Sequence, residues 1–364
     1  VTTNSLNAAF KNELCEPVAS IIDVNCGAAD EKPVGTGPYK IDSVADNGDV
    51  ELSSYDSYWQ GNPTIKTVHA KYLTDDQSKV SALQSGEVSA LMNVADDQLS
   101  ALSDTSKYTL HQTNQARAHM LYFNMQSSIM QDDAVREAVS TCIDRDSYVS
   151  SIYNNSAEAA HAAFPDSSGY ADGVTCDGFD VNKAKQILAD AGYADTDGDG
   201  VLEKDGKKLS LKIVTYQANA ALPKDCEALS SQLSQIGIGS DIEVAEKIAT
   251  RLGQSDWEIG TMAYSTLPTG NPYTYLSAVM GSDGTSNYGH YSNAKVDALL
   301  DQLKKTSDET TQKQLVQQIQ QIALDDHAYV YMVHTLVNDV TAADVQNLAM
   351  QGQYDWLNYQ MSYK

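Results

Sequence analysis

Between residues 34 and 72, apolar and polar side chains alternate in short runs, "GTGPYKIDSV", "VELSSY" and "TIKTVHAKYL", the pattern of strands with one solvated face. Asn47-Gly48 between the first two marks a hairpin. Helical spacing follows over 75–83, with Val80 and Leu83 on one side, and Gly86 stops it ahead of a strand over 88–94. "AHMLYFNM" (118–125) reads as a further strand, and 133–149 as a helix whose Val135, Ala138, Val139 and Cys142 share a face. The alternation continues with a helix over 181–193 closed by Gly192, a strand over 208–216, a helix over 226–238 and a strand over 241–247. A long helical pattern over 293–324, broken near Ser307, leads into the strand "AYVYMVH" (328–334). Strands alternating with helices, without internal repeats or low-complexity linkers, predict an open α/β architecture.

A chain of 364 residues with 42% hydrophobic composition can bury two domain cores. Its 24 basic against 49 acidic residues give a net charge of -25, which repels a phosphate backbone and excludes nucleic acid as a partner. No apolar run reaches the roughly 18 residues of a membrane-spanning helix. The sequence opens at Val1 without a targeting segment, which leaves the compartment open. Five cysteines form no CxxC pair and no zinc-spaced cluster. In an oxidising compartment Cys15–Cys26 and Cys142–Cys176 are the sequence-local pairs, with Cys226 left over; buried free thiols are the alternative.

The stretches "PVGTGPYKIDSV", "DSYWQGNPTIKTVHAKYLTDDQSKVSALQSGEVSALMNV", "LYFNMQSSIMQDDAVREAVSTCIDRDSYV" and "NKAKQILADAGYADTDGDGVLEKDGKKLSLKIVTY" closely resemble the family 5 extracellular solute-binding proteins, the peptide- and nickel-binding components of ABC importers. The resemblance continues through "NYGHYSNAKVDALLDQL" and covers the chain from about Pro33 onward. It implies an α/β clamp of two lobes, of the periplasmic-binding-protein kind (type II, cluster C-like), with two crossover strands. On that scheme residues 1–117 and 328–364 make the first lobe, 118–125 a hinge crossover strand and 126–327 the second lobe. Family members carry a longer segment ahead of "GTGPY", so the N-terminal part of the first lobe is expected to be missing here. The implied activity is capture of a small peptide or a nickel or metal chelate for the permease of an ABC importer. Ligand sensing or peptide chaperoning would use the same clamp. The implied setting is extracellular, as a cell-surface lipoprotein or periplasmic monomer that meets the membrane only through a lost lipid anchor or the permease.

Binding, not catalysis, is what the residue types favour. There is no GxSxG, no HExxH and no phosphate-cradling loop, so a hydrolase has no constellation behind it. The resemblance places "AYSTLPTGNPYTYLSAVM" at the ligand surface, with Tyr264, Thr266, Thr269, Asn271, Tyr273 and Tyr275 as candidate contacts. The same tyrosines could instead pack in the lobe core. Peptide-binding members carry an acidic residue in this segment for the ligand's amino terminus, whereas Leu267 to Asn271 offer none. Arg117, His119 and Tyr122 at the first crossover are further candidates, and Arg117 has the fork geometry for a ligand carboxylate. His290 in "NYGHYSN" is a candidate metal ligand through a neutral imidazole, or a structural histidine. "DTDGDGVLE" imitates the start of a calcium loop, with Asp195, Asp197, Asp199 and Glu203 as candidate structural Ca²⁺ ligands. Gly206 stands where such a loop would place its bidentate glutamate. No cofactor is required by this reading.

Overall fold

A computed structural model describes residues 6–16, 19–26, 32–219, 221–351 and 354–364. The chain divides into two compact units, one holding residues 6–12 and 116–335, the other 13–115 and 336–364. A helical turn, α1 (Phe10–Glu13), lies at the first of these boundaries.

The smaller unit begins with an antiparallel sheet of β1 (Tyr39–Val44), β2 (Val50–Ser54) and β3 (Thr67–Ala70). The β1–β2 hairpin turns where Asn47-Gly48 predicts it: Asn47 Oδ1 accepts the Asp49 N–H at 3.1 Å, and Gly48 takes φ +91°. No residue of these three strands is buried, and Trp59 and Tyr72 beside them are 76% and 66% exposed. Helix α2 (Asp76–Gln84) is N-capped by Asp75, whose carboxylate accepts the Ser78 N–H, and buries Val80 and Leu83 as its spacing requires. The strand expected over 88–94 shortens to β4 (Ala90–Leu91), because Asn93 at φ +54° turns the chain out of extended geometry. β4 pairs with the far end of β12 (Tyr329–Ala342), and Val80, Leu83, Leu91, Val94, Leu102 and Val340 form this unit's small core. Two short hairpins close it, β13 (Val345–Gln346) with β16 (Ser362–Tyr363) and β14 (Ala349–Gln351) with β15 (Tyr354–Trp356).

The larger unit is built on a sheet. β5 (Tyr108–Phe123) begins ten residues earlier than its apolar run suggests, its first half being polar and half-exposed. Helix α3 (Asp133–Thr141) and helix α4 (Arg145–Ser151) replace the single expected helix over 133–149. The break comes from Asp144, which leaves the helix to cap the next one through the Ser147 N–H. After β6 (Ala157–Ala159) come α5 (Val181–Asp190), the hairpin β7 (Glu203–Lys204) and β8 (Lys207–Lys208), and β9 (Ser210–Tyr216). Helix α6 (Ala221–Gln235) starts five residues before the expected helix, with Pro223 in its first turn, where no N–H is needed. β10 (Gly239–Ala245), α7 (Ile248–Leu252), β11 (Ile259–Ser265), α8 (Tyr273–Val279), α9 (Ala294–Leu303) and α10 (Glu309–Asp325) complete it. The break near Ser307 is where expected, since Asp308 caps α10 by accepting the Thr311 N–H at 2.8 Å.

Strand order in this unit is β10-β9-β11-β5-β12, with β6 on β12. Each face of the sheet carries its own core. Ala118, Met120 and Tyr122 of β5 face a layer containing Trp257, Tyr275, Tyr329 and Tyr331. Leu121 and Phe123 face the other way, among Ile213, Leu229, Ile259 and Met332, as period-two alternation demands. Cys142 and Cys226 sit in this second core as free thiols, where burial lifts them to about 12 and about 11. Cys176 is likewise free, so the expected Cys142–Cys176 bridge is not formed.

Candidate functional site

The residues singled out in the sequence all fall in the larger unit, and the sheet sorts them onto two faces. β5 and β11 run antiparallel with Arg117 opposite Ser265, Ala118 opposite Tyr264 and His119 opposite Ala263. Tyr122, Tyr264 and Tyr275 therefore belong to one face, Arg117 and His119 to the other.

Five of the nine expected ligand contacts are buried. Tyr275 is 1% exposed; its hydroxyl shares a 2.8 Å hydrogen bond with that of Tyr331 and donates to Met120 Sδ at 3.3 Å. Tyr122 is fully buried and packs edge-on against Tyr288 and Tyr329 with centroids at 5.8 and 5.7 Å; its hydroxyl has no partner among the described residues. Burial drives the ionisation of Tyr122 and Tyr275 far above that of a free phenol, so both stay neutral. Thr266 donates both its N–H and its hydroxyl to the Ala116 carbonyl, at 2.7 and 2.8 Å. Asn271 Oδ1 accepts the Tyr273 N–H at 2.9 Å, opening α8.

His119 is the fifth, and its partners come from far along the chain. Its Nδ1 lies 2.7 Å from Asp225 Oδ2, Tyr153 donates to the same carboxylate at 2.8 and 3.0 Å, and Asn219 Nδ2 reaches Nε2 at 3.1 Å. Both ring nitrogens are thus engaged under α6, and the imidazole fastens β5 to α6. The local sequence carried no sign of Asp225, Tyr153 or Asn219.

The remaining four residues are half-buried, and the Thr269 hydroxyl among them is covered. Tyr264 is half-buried, edge-on to Tyr275 at 5.2 Å, with its hydroxyl 3.2 Å from that of Ser286. Tyr273 packs its ring on the same core while staying half-exposed, and Thr269 lies in the turn before it. Arg117 differs from the chain's other arginines. Arg136, Arg145 and Arg251 each spend their guanidinium on carbonyls or carboxylates, three hydrogen bonds or more apiece. Arg117 is half-buried, and among the described residues its guanidinium has no hydrogen bond and no ion pair.

His290 is exposed at φ +57° and lines a shallow pocket of about 470 Å³ with Asp133, Arg136, Tyr291 and Asp326. Among the described residues, two groups of side chains could converge on a metal ion, and His290 belongs to neither. The first, Glu137, Asp177 and His327, is neutralised from within the chain. Burial works against charge on His327, but hydrogen bonds to Asp177 and Asp133 outweigh it and raise its pKa to about 9. Lys183 adds a second cation 3.6 Å from Glu137 and Asp177. The second group is Asp195, Asp197, Asp199 and Glu203, all within 4.8 Å of one another.

The chain belongs to the bacterial extracellular solute-binding proteins, family 5 Middle, which it matches over residues 1–287. It is 30% identical to the oligopeptide-binding protein AppA of Bacillus subtilis over 314 residues, 84% of this chain and 57% of AppA. It is 27% identical to the nickel-binding protein NikA of Staphylococcus aureus over 310 residues, 85% of this chain and 61% of NikA. The fold matches the crystal structure of Staphylococcus aureus NikA in complex with Ni(L-His)2 with a TM-score of 0.77 at 25% identity, covering 100% of this chain and 76% of that one. A nickel ABC transporter structure from Bacillus halodurans gives 0.83 at 26% identity, covering 97% and 74%. The chain spans about three fifths of the length of these curated relatives. Both are named for binding. Among the described residues no helix is long and apolar enough to cross a membrane.

Proposed function

We propose that the chain captures a small carboxylate-bearing solute outside the cell and hands it to the permease of an ABC importer. The two units would act as the two lobes of the family's clamp, with β5 and β12 as the strands that join them, and the working form would be a monomer. The observation that carries this reading is Arg117: in a chain with 49 acidic and 24 basic residues, a half-buried guanidinium without a carboxylate of its own invites one from a ligand. Both ligand types named for the relatives carry such a group, a peptide at its C-terminus and Ni(L-His)2 on its histidines. Tyr264 and Tyr273, half-exposed on the other face of the sheet from Arg117, would be separate contact points for solute. The turn 267–271 holds no carboxylate for a peptide's ammonium group, which favours the chelate over the peptide.

Titration calorimetry with Ni²⁺ plus L-histidine, and with short peptides, tests this on the wild-type chain, Arg117→Ala and Arg117→Lys. Loss of a charge-assisted pair of about 1.5–3 kcal/mol corresponds to roughly 10- to 100-fold weaker binding in Arg117→Ala, with Arg117→Lys in between. Wild-type affinity in Arg117→Ala would remove the residue from the site.

A further inference from the structure

We propose that the turn from Asp195 to Glu203 is a calcium site, separate from the solute site and set between α5 and β9. Asp195, Asp197 and Asp199 stand at alternate positions ahead of Gly200, and each brings a carboxylate oxygen within 4.8 Å of the others and of Glu203. The backbone fixes them there. Asp195 accepts the N–H groups of Gly198 and Gly200 through its two oxygens, at 2.7 and 3.0 Å, and Asp199 accepts that of Val201 at 3.0 Å.

Four anions gathered on an acidic protein do not by themselves make a site. Glu203 provides the separate indication. It is only 7% exposed, and one carboxylate oxygen, Oε2, accepts the N–H and hydroxyl of Thr196, both at 2.8 Å. The other, Oε1, is buried and has no hydrogen-bond partner among the described residues. A buried carboxylate oxygen left without a partner, on a residue whose carboxylate comes within 4.8 Å of three aspartates, is costly unless a cation meets it. The chain's own cation, Lys208, sits across the β7–β8 hairpin from Glu203 and bonds Asp199 and, at 3.2 Å, Asp197; no bond from it to Glu203 is formed.

The donors are all oxygen and mostly anionic, which selects a hard cation over zinc or copper, and a flexible surface turn suits Ca²⁺ better than the strict octahedron of Mg²⁺. With Gly206 in place of a bidentate glutamate, affinity falls in the range of extracellular calcium modules, a Kd of about 10⁻⁴ to 10⁻³ M. Binding would tie the end of α5 to the start of β9 through the Ala194–Glu203 bridge.

The test is thermal unfolding of the whole chain in EGTA, 10 mM CaCl₂ and 10 mM MgCl₂ at matched ionic strength, for wild type, Asp197→Asn and Lys208→Met. At that concentration Ca²⁺ raises the melting temperature by about 3–10 °C, Mg²⁺ by much less. Asp197→Asn, an exposed change that leaves Glu203 and its contacts in place, loses most of the shift, and Lys208→Met, freed of its competing ammonium, responds at several-fold lower Ca²⁺. No shift, an equal shift with Mg²⁺, or a full shift in Asp197→Asn overturns the proposal.

Discussion

Replacing Tyr275 and Tyr122 one at a time by phenylalanine removes the same atom from two rings buried in one core, and the consequences should differ. Tyr275 loses a 2.8 Å bond with Tyr331 and a contact with Met120 Sδ, and strands the Tyr331 hydroxyl in a buried layer. A lost hydrogen bond plus a stranded donor amounts to about 1–2 kcal/mol. Tyr122 loses a hydroxyl that has no partner, so its replacement is neutral or stabilising by up to about 1 kcal/mol. For a unit of this size these become a fall of roughly 2–8 °C for Tyr275→Phe and no change or a rise of roughly 2–4 °C for Tyr122→Phe. Calorimetric melting, with a urea midpoint as a second measure, reads the difference directly. If both variants fall equally, the Tyr122 hydroxyl is bonded in solution and the ordering of this aromatic core is not as described.

Other outcomes follow from buried or crowded positions. His327, raised to about 9 against an unfolded value near 6.5, contributes its stability in full below pH 6.5 and loses it as pH climbs through 9. After allowance for solvent screening that is about 1–2 kcal/mol, and melting followed from pH 7 to 10 should fall less steeply in His327→Gln. Burial holds His334 down to about 4, so its contribution is present above pH 6.5 and disappears as pH falls toward 4, about 3 kcal/mol in all. His334→Gln should flatten that acid limb; an unchanged slope would mean that the ring is not buried neutral. Gly289→Ala would place a methyl 2.5 Å from the Phe123 carbonyl oxygen, and denaturant unfolding should show a loss of about 1–3 kcal/mol.

Much of this architecture was legible because it is local. The strand over 208–216, the helices that begin near 75 and 181 and the break near Ser307 are written in adjacent residues, and the structure has an element or a break at each. The misreadings have a common cause in residues that act at a distance or against their own propensity. Asp144 interrupts an apolar face that otherwise runs on, and Asn93 bends a strand whose side chains alternate correctly. For the candidate site, residue type gave the tyrosines but not their depth, since a buried Tyr275 and a half-exposed Tyr273 differ only by where α8 meets the sheet. His119 could be singled out by type, but its tie to Asp225, 106 positions away, is invisible from its neighbours. Arg117 could be named from sequence, while its lack of a partner could be learned only from the fold.

The most direct measurement is the melting temperature of the wild-type chain across a panel of Ni²⁺ with L-histidine, Ni²⁺ alone, L-histidine alone and pooled short peptides. Capture of a solute predicts that one carboxylate-bearing member, at a hundred times its Kd, adds about 2.7 kcal/mol and moves the transition by several degrees. A panel in which no member moves it would contradict the account.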